Sequence, residues 1–250
     1  MKKPYFTIVF IISLMFLGIS ACSSTGRGSK QPPVSDVMAR AEDAFNGKKY
    51  EKARELLNEV KARDAERKYF ARAQIMIADS YFAEGSYPEA VQEYKAFLEL
   101  HTYHEKAPYA QYGLSRSYFN QVDSVDRGFE NIRAARREFK KLLERYPRNP
   151  YREPALAKLA RCRNMLAEYE NYVGSFYYKK EAYEAAVGRF EGLLSDYPGS
   201  SVEIDTLFKL GRAYRELGDV EKARKALTRL ISEYPSSRQA RGARELLKSP

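Results

Sequence analysis

Few side chains in this sequence stand where they could do chemistry. His101 and His104 are its only histidines, and with Glu105 they form the run His101-Thr102-Tyr103-His104-Glu105. Two imidazoles and a carboxylate could touch a metal ion, but solvated loop residues are the simpler reading, and no Cys or His spacing completes a zinc site. Cys162 sits between Arg161 and Arg163 in a helix-periodic stretch. It has no sequence partner for redox or metal work, so a small buried apolar residue is expected there. The run Arg133–Lys141 sets Arg133, Arg136, Arg137, Lys140 and Lys141 around Ala134, Ala135 and Phe139. On a helix the apolar three face inward and the cations spread over the outer surface, without the aromatic platforms that nucleic acid uses. The sequence carries no nucleotide loop, no Gly-x-Ser-x-Gly elbow and no paired carboxylates in an apolar setting. These absences point away from an enzyme: no catalytic residue, no metal, no cofactor and no nucleic-acid partner are expected.

Cys22 is the one residue whose setting directs a reaction. Lys2 and Lys3 precede an apolar run, Tyr5 to Ile19, which ends in Ile19-Ser20-Ala21-Cys22. That run is short for a membrane span, which needs about 20 residues, and has the layout of an export signal. A cysteine after small residues at its end is similar to the bacterial lipobox, where the thiol is acylated and the cysteine becomes the new N-terminus. Residues 1–21 are therefore expected to be a lipoprotein signal peptide, and the only prosthetic group a covalent lipid on Cys22. Several acyl chains on one residue give stable anchoring where one chain is marginal. Ser23 stands where an inner-membrane retention signal usually has Asp, which points to the outer membrane. With Cys22 lipidated, Cys162 is left alone, and no intramolecular disulfide can form. The net charge of +10 falls to +8 once Lys2 and Lys3 leave, which favours an acidic partner or an anionic surface.

Residues 22–35, the lipidated end and the run Ser23-Ser24-Thr25-Gly26 through Ser35, lack recurring apolar positions and are expected to be a flexible tether. Its thirteen residues after Cys22 reach at most about 43 Å. From residue 36 to 250 the periodicity is helical, and one pattern recurs. It is fullest at Leu207-x-x-Leu210-Gly211-x-x-Tyr214, Ala223-x-x-x-Leu227, Pro235. It returns as Val173-Gly174-x-x-Tyr177, Ala186-x-x-x-Phe190, Pro198, and as Tyr118, Ala135-x-x-x-Phe139, Pro147. This is the tetratricopeptide (TPR) signature of stacked helix–turn–helix units. The fold class is all-α: a superhelical array of about five TPR units, at about 36–68, 70–104, 108–150, 154–201 and 202–236, with a C-terminal capping helix in 237–250.

The alignment Ala53, Ala90, Ala135, Ala186, Ala223 gives spacings of 37, 45, 51 and 37 against an ideal of 34. The long gaps locate an insertion around Asp123–Gly128 and a helix from Pro154 to about Lys180, with the apolar stripe Leu156, Leu159, Leu166, Tyr169, Val173 and Phe176. Gly211 and Ala223 are expected where two helices cross closely.

Taken together, a lipobox, a short tether and five irregular units resemble the BamD (YfiO) family of outer-membrane assembly lipoproteins over nearly the whole chain. The most specific stretch holds Asp126-Arg127 in the insertion, Glu144-Arg145-Tyr146-Pro147, the run Leu166-Ala167-Glu168-Tyr169 through Val173-Gly174-Ser175-Phe176-Tyr177, and Arg189-Phe190-Glu191-Gly192-Leu193 before Asp196-Tyr197-Pro198. It departs from the family in the first repeat, which has Val60–Asp64 where a Tyr-Pro turn is common, and in the second, which ends in His101–His104 without a clear Pro. Gly128 also follows Asp126-Arg127 where Asp is frequent. The resemblance implies a non-enzymatic scaffold on the periplasmic face of the outer membrane. Its implied partners are the POTRA domains of a BamA-like insertase, other assembly lipoproteins and unfolded β-barrel substrates. Arg189, Glu191, Asp126 and Arg127 become candidate partner contacts. Tyr81, Tyr87, Tyr112 and Tyr118 become a candidate N-terminal pocket for an extended substrate signal, although several are also TPR packing positions. The alternative is another periplasmic TPR adaptor, such as a Tol–Pal coordinator, whose usual N-terminal coiled coil has no room in residues 23–35.

Overall fold

The computed structural model describes residues 31–248, in which every regular element is a helix. They run α1 (Val34–Asn46), α2 (Tyr50–Arg63), α3 (Phe70–Glu84), α4 (Tyr87–Leu100), α5 (Ala107–Asn120), α6 (Phe129–Arg145), α7 (Arg152–Lys179), α8 (Tyr183–Asp196), α9 (Glu203–Glu216), α10 (Val220–Glu233) and α11 (Arg238–Lys248). Each helix packs on the next, giving five antiparallel pairs, α1/α2 through α9/α10, and a closing helix. α11 buries Ala240 and Ala243 on Leu207, Leu227 and Leu230, covering the apolar face that a sixth unit would otherwise cover. No helix among the described residues is long and apolar enough to cross a membrane.

Four of the five turns within pairs close by one device. Lys49, Ser86, Ala182 and Asp219 each donate the backbone N–H to the carbonyl five residues back, on Ala44, Tyr81, Tyr177 and Tyr214. The residue before each donor is left-handed: Lys48 (φ 58°), Gly85 (87°), Glu181 (61°) and Gly218 (75°). This is the Schellman closure, which satisfies helix-end carbonyls in a minimum of chain. The third pair lacks it, because Gln121–Gly128 carries the insertion between α5 and α6.

Contact between paired helices depends on missing side chains. A Cβ on Gly174 would lie 2.5 Å from the Phe190 ring, and one on Gly211 would lie 2.6 Å from Leu227. Gly113 does the same between neighbouring pairs, 2.5 Å from Tyr94. Gly211 therefore makes room for Leu227, one turn beyond the expected Ala223.

At 28 residues, α7 is about 42 Å long. Its N-terminal half buries Ala155, Cys162, Met165 and Leu166 against Ile132, Ala135, Phe139 and Leu142. Its C-terminal half seats Gly174 on Phe190 of α8, so one rigid element joins the third and fourth pairs. The apolar stripe expected on α7 is corrected here: Leu156 is 37% exposed and Phe176 51% exposed, whereas Cys162 and Ala167 are fully buried. A helix packed on different neighbours along its length turns a different side inward in each half, which one periodic stripe cannot describe.

Candidate partner-binding surfaces

On α8, Ala185, Gly188, Arg189 and Gly192 face Glu170 and Tyr177 of α7 across a groove of about 490 Å³. A Cβ on Gly188 or Gly192 would meet nothing within 4 Å, so α8 offers nearly bare backbone along this wall. Arg189 Nη1 donates to Glu170 Oε2 at 3.1 Å and remains 46% exposed, while Glu170 is largely covered. With nearly half its side chain in solvent, Arg189 remains available to an acidic partner. Beyond the N-terminus of α6, where Phe129 stacks on Tyr169 at 4.2 Å, α7 continues with Tyr172 and Phe176 about half exposed. This aromatic face is the feature that sequence patterning missed, since Phe176 fits the helical period of a core position.

Glu191 does not share the Arg189 groove. It accepts the Tyr214 hydroxyl at 2.5 Å and lines a second groove with Leu194, Leu210, Lys222 and Lys225. Two positions apart on a helix point to different sides. Asp126 and Arg127 are exposed in the insertion, where Arg127 Nε donates to Ser124 Oγ at 3.2 Å. The Ser124 hydrogen bond, more than the adjacent Arg127, holds the Asp126 carboxyl below the usual range.

The four tyrosines of the candidate substrate pocket are spread over the first three pairs. Tyr81 lies under the Arg54 guanidinium at 4.2 Å and packs on the α1–α3 core. Tyr87 meets Phe82 edge-on at 5.4 Å. Tyr112 stacks on Tyr151 at 4.9 Å, and Tyr118 packs where two cores meet, with Lys95 Nζ 5.4 Å from its ring. What connects two of them is Arg116, whose guanidinium lies 4.3 Å from Phe82 and 5.6 Å from Tyr112. Beneath it, Asp79 accepts the hydroxyls of Tyr94 at 2.6 Å and Tyr109 at 2.8 Å. Burial pushes the Asp79 carboxyl above its ordinary pKa despite those two donors and nearby Arg116. Asp79 and Arg116 carry no motif; only the crossing of α3, α4 and α5 brings them together.

Cys162 is fully buried, and burial pushes its thiol up to about 11. The cations of Arg133–Lys141 are exposed, while Ala135 and Phe139 are fully buried. The only buried carboxylate on that helix, Glu138, takes Arg137 and Lys141 as ion partners and Gln111 as a donor. The histidine segment corrects the expected solvated loop. His101 is half-buried, 4.8 Å from the Phe97 ring, with Nε2 3.1 Å from Oε1 of buried Gln74. The end of α4 draws it into the joint with the next pair. No group of three potential metal ligands occurs among the described residues. Cys22 lies outside the described residues.

Stacked helical pairs presenting grooves on successive helices define the class: a TPR scaffold protein. The chain belongs to the YfiO family of outer membrane lipoproteins, whose family model matches residues 30–228. The outer membrane protein assembly factor BamD of Vibrio cholerae is 29% identical over 228 residues, covering 87% of this chain and 93% of its own. The BamD of Xylella fastidiosa is 32% identical over 180 residues, covering 67% of this chain and 62% of its own. The BamD of Neisseria meningitidis is 27% identical over 253 residues, covering 95% and 93%. Among solved structures, a TPR repeats protein of Bacteroides fragilis aligns at 15% identity and a TM-score of 0.48, over 86% of this chain and 97% of its own.

Proposed function

We propose that this chain is a non-enzymatic scaffold of the β-barrel assembly machinery. Acylated at Cys22, it is held at the periplasmic face of the outer membrane and aids insertion of β-barrel proteins. Its C-terminal pairs engage the POTRA domains of a BamA-like insertase, and other assembly lipoproteins join the same complex. Unfolded barrel substrates are received by the N-terminal pairs, where Tyr87, Phe82, Arg116 and Tyr112 form one continuous aromatic and cationic surface.

The observation that carries the reading is the Arg189 groove. A half-exposed guanidinium stands beside two open glycines on a helix pair packed through Gly174 and Phe190. A charge beside bare backbone on a rigid support suits a protein edge better than a small molecule. The guanidinium has five N–H donors, so a partner carboxylate can join Glu170 on its exposed side.

Affinity purification of the tagged full chain from native membranes tests this. A POTRA-bearing β-barrel recovered in about equal amount is the expected result, with Arg189→Glu reducing recovery at least several-fold while the protein still folds. Full recovery with Arg189→Glu removes the contact but keeps the scaffold role. Recovery of Tol–Pal components instead replaces the function.

A further inference from the structure

Four of the five second helices end on an aromatic ring held in one way. His101, Tyr146, Tyr197 and Tyr234 close α4, α6, α8 and α10 with φ of −128°, −127°, −131° and −132° and ψ of 42°, 67°, 51° and 54°. Each donates its backbone N–H to the carbonyl four residues back. In three of these places the ring is a phenol, neutral throughout the physiological range. Between the second and third pairs it is an imidazole, which changes charge near neutrality.

The surroundings of that imidazole disfavour its charged form. Its ring lies between Phe97, 4.8 Å away, and Phe70, 6.1 Å away. The neighbouring ring is His104, 5.8 Å away, which also packs on Phe97. His104 Nδ1 accepts the Lys106 N–H at 3.0 Å, at the residue that caps the start of α5. A protonated His104 has no acceptor at Nδ1, so that bond is lost on protonation. Toward the joint from the α2–α3 connection comes Arg67, 4.5 Å over Phe70, with Lys61 of α2 at 5.8 Å from the same ring. Besides Phe70, α3 presents Gln74 to the ring, and the next residue, Thr102, accepts the Tyr146 hydroxyl on its carbonyl at 3.3 Å. Carboxylates do not balance these charges. Asp64 accepts from the Tyr69 N–H, Arg72 is paired with Glu42, and Glu66, Glu99 and Glu105 are exposed. Burial first, then the charges of His104 and Arg67, hold His101 below the ordinary histidine range.

The geometry points to an acid-sensitive joint: protonation of His101 and His104 drives the imidazole from the slot that tyrosine fills elsewhere and frees the α4–α5 turn, loosening the first two pairs from the rest of the array. In the unfolded chain His101 takes up its proton at about pH 6.5, and in the folded joint only at lower pH. Its contribution is therefore complete above that value and lost as pH falls through it toward the folded value. This inference concerns the fold alone and stands apart from the assembly role.

The test uses the full-length lipoprotein in detergent micelles. With two histidines in the whole sequence, both imidazoles can be followed individually by NMR. His101 is expected to titrate below about 6.5. Between pH 7.5 and 5.5, amide exchange over residues 97–106, corrected for its intrinsic pH dependence, should accelerate by several-fold, up to about tenfold. His101→Tyr restores the residue of the other joints and should abolish the acceleration linked to His101, and adding His104→Gln removes any part due to the second imidazole. A His101 that titrates at or above the ordinary value, which needs no variant, overturns the proposal. So does a double variant that loses protection on acidification as the parent does.

Discussion

Gly174→Ala tests the packing that joins α7 to α8. The new Cβ would lie 2.5, 2.8 and 3.1 Å from three carbons of the Phe190 ring. Phe190 is completely buried, so the ring has no open side to move into. Two effects oppose one another. Alanine favours a helix interior over glycine by about 1 kcal/mol. Overpacking a filled core costs about 1–3 kcal/mol, and contacts below 3 Å to a confined ring belong at the upper end. The net effect is a loss of about 2 kcal/mol, a fall in Tm of roughly 4–8 °C for a chain of this size. Gly188→Ala on the facing helix is the internal control. Its Cβ meets nothing within 4 Å, so only the helix preference acts, and a gain of about 1 kcal/mol or roughly 2–4 °C is expected. Thermal unfolding of both variants, followed by far-ultraviolet circular dichroism at fixed pH and salt, reads the two signs directly. If Gly174→Ala matches or exceeds the parent in stability, the argument that close helix approach requires glycine here is refuted.

Two further expectations follow from the same structure. Lys48→Gly and Glu181→Gly relieve left-handed side chains at turns where Gly85 and Gly218 already stand. Each should raise stability by about 0.5–1 kcal/mol in urea unfolding, the relief being partly offset by the greater freedom of glycine in the unfolded chain. At Asp79 the folded carboxyl binds its proton more readily than the unfolded one, so its contribution weakens as pH rises from about 3.8 through the raised folded value. Asp79→Asn should flatten that part of the stability profile, which a pH series of urea midpoints for parent and variant would show.

The periodicity of small and aromatic residues was sufficient to specify helix–turn–helix units, because Ala53, Ala90, Ala135, Ala186 and Ala223 each mark a buried position that local spacing alone exposes. The long helix over Pro154 to Lys180 and the insertion before Phe129 were legible for the same reason, as departures from a repeat length. The Arg133–Lys141 face was likewise a local matter of helical angle.

Tertiary structure decided what each side chain meets. The period of α7 shows an apolar stripe, but the packing of α6 on one half and α8 on the other is what leaves Tyr172 and Phe176 exposed and buries Cys162. Glu191 and Arg189 are neighbours in sequence and face different grooves. Asp79, Tyr94, Tyr109 and Arg116 come from three helices and meet only after those helices cross. His101 was indistinguishable from a polar loop residue until the end of α4 placed it where the other pairs hold tyrosine. Local sequence sets helices and turns through interactions a few residues apart. Burial, charge pairing and the exposure of a binding face depend on contacts tens of residues apart, and those exist only once the pairs have stacked.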